Sequence, residues 1–135
     1  MTTRISKNEY YMRLAETARE RGTCSKQQVG ACIVQNDAVI SLAYNGAPQG
    51  IPHCTDDNHL MQHCNLALHA EHNAILNAAK NGQSTLGATL YTTHSPCVEC
   101  CKILLNAGII KVYFRAPYKQ EEIFFNISSL HFEQL

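Results

Sequence analysis

Apolar and polar positions follow two rhythms along this chain. Between Lys7 and Arg21, Tyr10, Tyr11, Leu14 and Ala18 return at helical spacing among charges, and Gly22 stops the run, so an amphipathic helix is predicted. VGACIVQ (Val29–Gln35) and AVISLAY (Ala38–Tyr44) are apolar and β-branched on either side of Asn36-Asp37, a turn signal, and read as a β-hairpin. The Gly- and Pro-containing NGAPQGIPHC is irregular, and Asp56 to Cys64 is ambiguous in pattern, a short helix being one reading. A largely buried helix follows from about Ala67 to Lys80, marked by Leu68, Ala70, Ala74, Ile75, Ala78 and Ala79. ATLYTT (Ala88–Thr93) is a strand. Ser95 and Pro96 then offer an N-cap and a first-turn proline for a helix reaching Ala107-Gly108. IIKVYF (Ile109–Phe114) is a further strand, and the tail after Pro117 is weakly patterned, with a short helix over Glu121 to Ile127. A hairpin followed by alternating helix and strand predicts one α/β domain over residues 1–135, with helices packed on a central mixed sheet.

The motifs carry the chemistry. SPCVECCK (Ser95–Lys102) places Cys97 and Cys100 three apart, on one face of the predicted helix and in its first turn. Unpaired backbone N–H groups and the helix dipole there favour anions, so both thiols are expected to ionise readily. Two thiolates at this spacing are half of a zinc site. Cys101 points away and reads as a small buried hydrophobe, as does Cys32 within its strand. HAEHNA (His69–Ala74) supplies the other half: an imidazole, and a carboxylate two positions on. Residues i and i+2 do not share a mid-helix face, so His69 and Glu71 converge only if His69 stands at the very start of its helix. His69, Cys97 and Cys100 then make a three-ligand zinc site with an open fourth position, the pattern of catalytic zinc. Glu71 is placed to move protons beside it. A lone Cys-x-x-Cys would equally suit redox chemistry or half of a structural site; a purely structural site has no use for Glu71.

Composition narrows the partners. Lys and Arg balance Asp and Glu over 135 residues, with no Trp, which offers no electrostatic footprint for nucleic acid. No apolar run approaches the ~18 residues of a membrane span, and MTTRISKNEY does not read as a secretory signal. Seven cysteines in that context are expected to be reduced thiols of a cytoplasmic protein.

At HAEHNAI and PCVECCK, and at RGTCSKQQVGACIV (Arg21–Val34) and AYNGAPQGIPHC (Ala43–Cys54), the chain resembles the zinc-dependent cytidine/deoxycytidylate deaminase family, and within it the deoxycytidylate (dCMP) deaminases. The resemblance spans roughly Arg21 to Tyr113. It implies a three-layer α/β/α fold, usually oligomeric, and hydrolysis of dCMP to dUMP and ammonia for thymidylate synthesis, with no nucleic-acid or membrane partner. Cytidine, guanine or tRNA/DNA-editing deamination is the alternative within the fold, and a non-catalytic zinc module the alternative outside it.

Carried over by position, Asn73 matches a sugar-contacting residue and Asn45 a nucleotide-contacting one. Arg21 matches a position that reaches phosphate, and His94 one lining the base pocket. Each has a plainer reading: an amide bonded to a loop, a turn-forming Asn, a solvated helix-end charge and a loop residue. Some relatives respond to dCTP and dTTP, which makes these candidate effectors. Some also carry a second, structural zinc; here Cys24 and Cys54 with two of His59, His63 and Cys64 would suffice for a closed four-ligand site. The chain departs from many bacterial relatives in having NLAL before HAE, where they carry Arg and Thr.

Overall fold

A computed structural model describes residues 3–54, 66–117 and 129–135. Their elements run α1 (Lys7–Arg19), β1 (Gly30–Gln35), β2 (Ala38–Tyr44), α2 (Ala70–Lys80), β3 (Thr89–His94), α3 (Val98–Asn106), β4 (Lys111–Ala116) and β5 (His131–Gln134). The strands form a mixed sheet in the order β2-β1-β3-β4-β5. β1 pairs antiparallel with β2 and β3, whereas β3, β4 and β5 are parallel.

Alternation along β1 explains the layers. Ala31 and Ile33 join Leu90, Val112, Ala70, Ala74 and Leu104 in the core under α2 and α3. Cys32 and Val34 point the other way, into a second core with Tyr11, Met12, Ala15 and Tyr91 under α1. The result is three layers, α1 on one face and α2 with α3 on the other. Ser6 caps α1 by accepting from Glu9 N–H at 3.1 Å. α1 lies so close to β1 that a Cβ at Gly30 would come within 1.8 Å of the Ala15 carbonyl oxygen, and no other residue fits there. The β1–β2 turn has positive φ at both Asn36 (51°) and Asp37 (62°), the geometry of a tight hairpin turn that Asn and Asp tolerate.

Several boundaries move, each for a visible reason. α2 starts at Ala70 rather than near Ala67, because Leu68 exchanges backbone hydrogen bonds with Gly46 and holds the entry to His69 extended. α3 starts at Val98 and its N-cap is Cys97, not Ser95. The Ser95 N–H is still engaged with the Ala116 carbonyl at 3.0 Å, prolonging the β3–β4 ladder. The tail supplies a fifth strand, β5, that its short HFEQ pattern did not announce. The predicted helices over 56–64 and 121–127 lie outside the described residues. No helix among the described residues is long and apolar enough to cross a membrane.

Candidate functional site

The site forms where the carboxyl end of β3 meets the start of α2. His69 is the N-cap of α2, with extended backbone (φ −65°, ψ 150°) and no side-chain cap bond. This meets the geometric condition for His69 and Glu71 to converge. The Gly46–Leu68 bridge, closed by bonds of 3.1 and 2.7 Å, pins the chain just before it. Cys97 caps α3, its sulfur accepting from the Cys100 N–H at 3.5 Å.

These two helix starts bring three donors together. His69 Nδ1 is 3.1 Å from Cys100 Sγ and 3.6 Å from Cys97 Sγ, and the two sulfurs are 3.5 Å apart. All three atoms lie within 4.8 Å of one another, from an exposed imidazole to a buried thiol. Tetrahedral zinc, with bonds of about 2.0–2.3 Å, separates its donors by roughly 3.5–3.8 Å. The triangle and its soft donor set fit that ion. Glu71 lies beside it, only 4% exposed. Its Oε2 is 3.1 Å from Cys100 Sγ, and its Oε1 accepts from the Thr92 hydroxyl at 3.0 Å.

The two thiols are coupled through their 3.5 Å contact. Hydrogen bonding with Cys100, then with His69 and the Cys100 N–H, lowers Cys97 against its burial. Cys100 is pushed up, by its bond to Cys97, by burial and by the Glu71 carboxylate. A cation supplies what removal of the second proton requires.

Around this centre, Asn73 donates its amide to the Tyr44 carbonyl at 3.0 Å, leaving Oδ1 as an acceptor. The Arg21 guanidinium lies over the Tyr44 ring, 5.6 Å from its centroid. The Asn45 side chain accepts from Val29 N–H at 2.8 Å and donates to the Gln27 carbonyl at 2.7 Å, bracing the loop that follows Arg21. Thr93 Oγ1 accepts from Gly30 N–H at 3.1 Å and lies 2.9 Å from His94 Nδ1. Every group is satisfied when Thr93 donates to Nδ1 and the proton sits on His94 Nε2. Burial, then the Arg19 charge, keeps His94 below the usual histidine range and so favours the neutral ring.

Cys24 and Cys54 are both buried, and Cys54 donates to the Thr23 carbonyl at 3.5 Å, next to Cys24. The remaining residues of the second predicted metal site, His59, His63 and Cys64, lie outside the described residues.

Two residues escaped the sequence reading. Thr92 was visible only as a polar residue on the core-facing alternation of β3. His72 stacks on His69, with ring centroids 5.3 Å apart, and its buried Nε2 has no hydrogen-bond partner among the described residues.

The family model for the cytidine and deoxycytidylate deaminase zinc-binding region matches residues 5–116. ComE operon protein 2 of Bacillus subtilis is 45% identical over 118 residues, covering 86% of this chain and 62% of that protein. The deoxycytidylate deaminase of Saccharomyces cerevisiae is 37% identical, covering 92% and 42% respectively. This chain therefore spans about 42% to 62% of the length of these two relatives. It covers 92% of the deoxycytidylate deaminase of Mycobacterium phage D29, at 32% identity. The crystal structure of dCMP deaminase from cyanophage S-TIM5 with dCMP and dUMP superposes with a TM-score of 0.82, at 32% identity over 99% of this chain and 100% of that one. Fold, zinc-type donor set and family model agree: the chain belongs to the cytidine and deoxycytidylate deaminase family.

Proposed function

We propose that this chain hydrolyses dCMP to dUMP and ammonia, the step that supplies deoxyuridylate for thymidylate synthesis. The observation that carries the reading is a buried Glu71 carboxylate against a His69–Cys97–Cys100 donor triangle. Those three side chains would hold Zn2+. When bound, the ion would supply Lewis acidity that lowers the pKa of water toward ~7, an effect that two thiolate ligands blunt. Glu71 provides the proton traffic. It takes a proton from the attacking water and delivers it to the ring nitrogen of the base, then carries the proton of the newly added hydroxyl to the departing amine, which leaves as ammonia as the carbonyl forms.

The surrounding residues orient the nucleotide in this reading. Asn73, its amide tied to Tyr44, offers Oδ1 to a sugar hydroxyl, and the neutral His94 ring offers Nε2–H toward the base. Arg21, stacked on Tyr44, is the cation for the phosphate, and Asn45 acts by bracing the adjoining loop. The same reading carries a structural zinc at Cys24 and Cys54 with two of His59, His63 and Cys64, and a cytoplasmic homo-oligomer with dCTP and dTTP as effectors. Leu76 on α2 and Ile103 on α3 are large apolar side chains left exposed on that layer.

The test is ammonia release from dCMP, dCTP, cytidine, guanine and an oligonucleotide by zinc-loaded protein. Turnover of dCMP above free cytidine is expected; reaction only on guanine or the oligonucleotide overturns the assignment. Glu71→Gln should keep zinc and lose on the order of 10²–10⁴ in rate. Elemental analysis should find two zinc ions per chain, and one in Cys54→Ser; one in both removes the structural site.

A further inference from the structure

Thr92 occupies a place where an apolar residue would serve packing alone. It is fully buried on β3, on the side whose neighbouring core positions are Leu90 and Val112. A buried hydroxyl at such a position is costly unless its hydrogen bonds are made. Its single proton has two acceptors in reach, Oε1 of Glu71 at 3.0 Å and the His94 carbonyl at 2.8 Å, and is shared between them. Among the described residues no cationic side chain pairs with Glu71, and its polar contacts are the Thr92 hydroxyl and the Cys100 sulfur.

The two carboxylate oxygens are therefore unlike. Oε1 is held from the strand, while Oε2 faces the donor triangle at 3.1 Å from Cys100 Sγ. The proton offered to Oε1 is shared with the backbone carbonyl of His94, at the head of the connection leading to Cys97. Rotation of the carboxylate and displacement of that connection are coupled through one side chain.

We infer that Thr92 is a positioning residue for the deamination: its hydroxyl fixes the Glu71 carboxylate through Oε1 and so presents Oε2 to the reacting centre. The inference rests on the reading of Glu71 as the proton-transfer group. A purely structural Thr92 would tie β3 to the His94 carbonyl and contribute to stability alone.

Thr92→Val keeps the shape and removes the hydroxyl; Thr92→Ser keeps the hydroxyl and removes a methyl group. Thr92→Val should lower kcat for dCMP by roughly tenfold to a hundredfold, the scale of a misaligned catalytic group. KM, zinc per chain and the calorimetric affinity for dUMP should stay within about twofold, because the loss concerns alignment rather than binding. Thr92→Ser should recover most of the lost rate. In a Glu71→Gln background, Thr92→Val should cost almost nothing further, since the group it aligns is gone.

A Thr92→Val enzyme within about twofold of the wild-type kcat overturns the inference. So does a loss carried by KM or zinc content, a Thr92→Ser enzyme as slow as Thr92→Val, or an undiminished cost in the Glu71→Gln background. If circular dichroism shows that Thr92→Val is unfolded, Thr92→Ala takes its place under the same criteria. Glu71→Gln alone separates the two levels. Near-normal turnover by that variant removes the reading of Glu71, and Thr92 with it. An inactive Glu71→Gln beside a normal Thr92→Val removes only the inference.

Discussion

The two sides of strand β3 handle buried polar groups in opposite ways. On the α1 side, Tyr91 stacks on Tyr113 with centroids 4.9 Å apart, lies 5.3 Å from Tyr11, and donates its hydroxyl to Asn8 at 2.6 Å. Nearby, Glu9 and Glu16 both meet Arg115, at 3.0 and 2.9 Å. Donors face acceptors and charges face their opposites. On the α2–α3 side, Thr92 meets a carboxylate that has no cationic partner among the described residues. Two sulfurs 3.5 Å apart lie beside it, one of them 3.1 Å from that carboxylate. Such a cluster works against the fold unless a cation completes it. One side of the strand is organised to be stable as it stands, and the other to receive something.

Substitutions on each side should therefore separate activity from stability. The largest effect is expected from Cys100→Ala, which removes one corner of the donor triangle. Turnover of dCMP should fall on the order of 10³-fold or more, with one zinc ion fewer per chain by elemental analysis. Retention of both zinc and rate would break the contrast outright.

Gly30→Ala should be the most damaging change on the opposite side. Its Cβ would be driven into the Ala15 carbonyl, so α1 must lift from the sheet, at a cost of about 3 kcal/mol in denaturant unfolding. Tyr91→Phe is milder. It removes one hydroxyl whose partner Asn8 is half-buried and can turn to water, so about 1 kcal/mol should be lost, with kcat for dCMP unchanged. A drop in rate without a drop in stability would show that the α1 side is not merely a scaffold.

The smallest effect concerns pH. Lys7, then the Tyr11 hydroxyl, holds the Asp37 carboxyl below its ordinary range. A depressed carboxyl contributes stability that is present above the unfolded-state value of roughly 4 and is lost as pH falls through the folded one. Asp37→Asn keeps a residue that tolerates the positive φ of the turn. The variant should melt slightly below wild type at pH 7, and the difference should shrink progressively as pH falls below about 4. A gap that persists at low pH would assign the effect to turn geometry rather than charge.

Local chemistry made much of this legible in one dimension. Asn36-Asp37 between two β-branched runs announces its hairpin, because few residues accept the two left-handed positions found there. Cys97 and Cys100 announce a shared face by their spacing, and HAEHNA names the imidazole and carboxylate that complete the site. The capping role of Cys97 was misplaced onto Ser95, since nothing nearby in the chain reveals that the Ser95 N–H is already engaged by Ala116. Likewise, Asn45 looks like a simple turn residue until its amide is seen bracing Gln27 and Val29, some sixteen residues away along the chain.

By itself, then, the amino-acid order determined the periodicities, the turn and the identity of the metal-type donors, all properties of neighbouring residues and their intrinsic chemistry. Only the tertiary structure decided that His69 stands outside its helix, that its Nδ1 meets both Cys97 and Cys100, and that Glu71 is held by Thr92. Those outcomes depend on sheet register and helix entry, which set distances between groups some 20 to 30 residues apart. Burial then turns each such distance into an energy, because a polar group removed from water must find its partner within the protein.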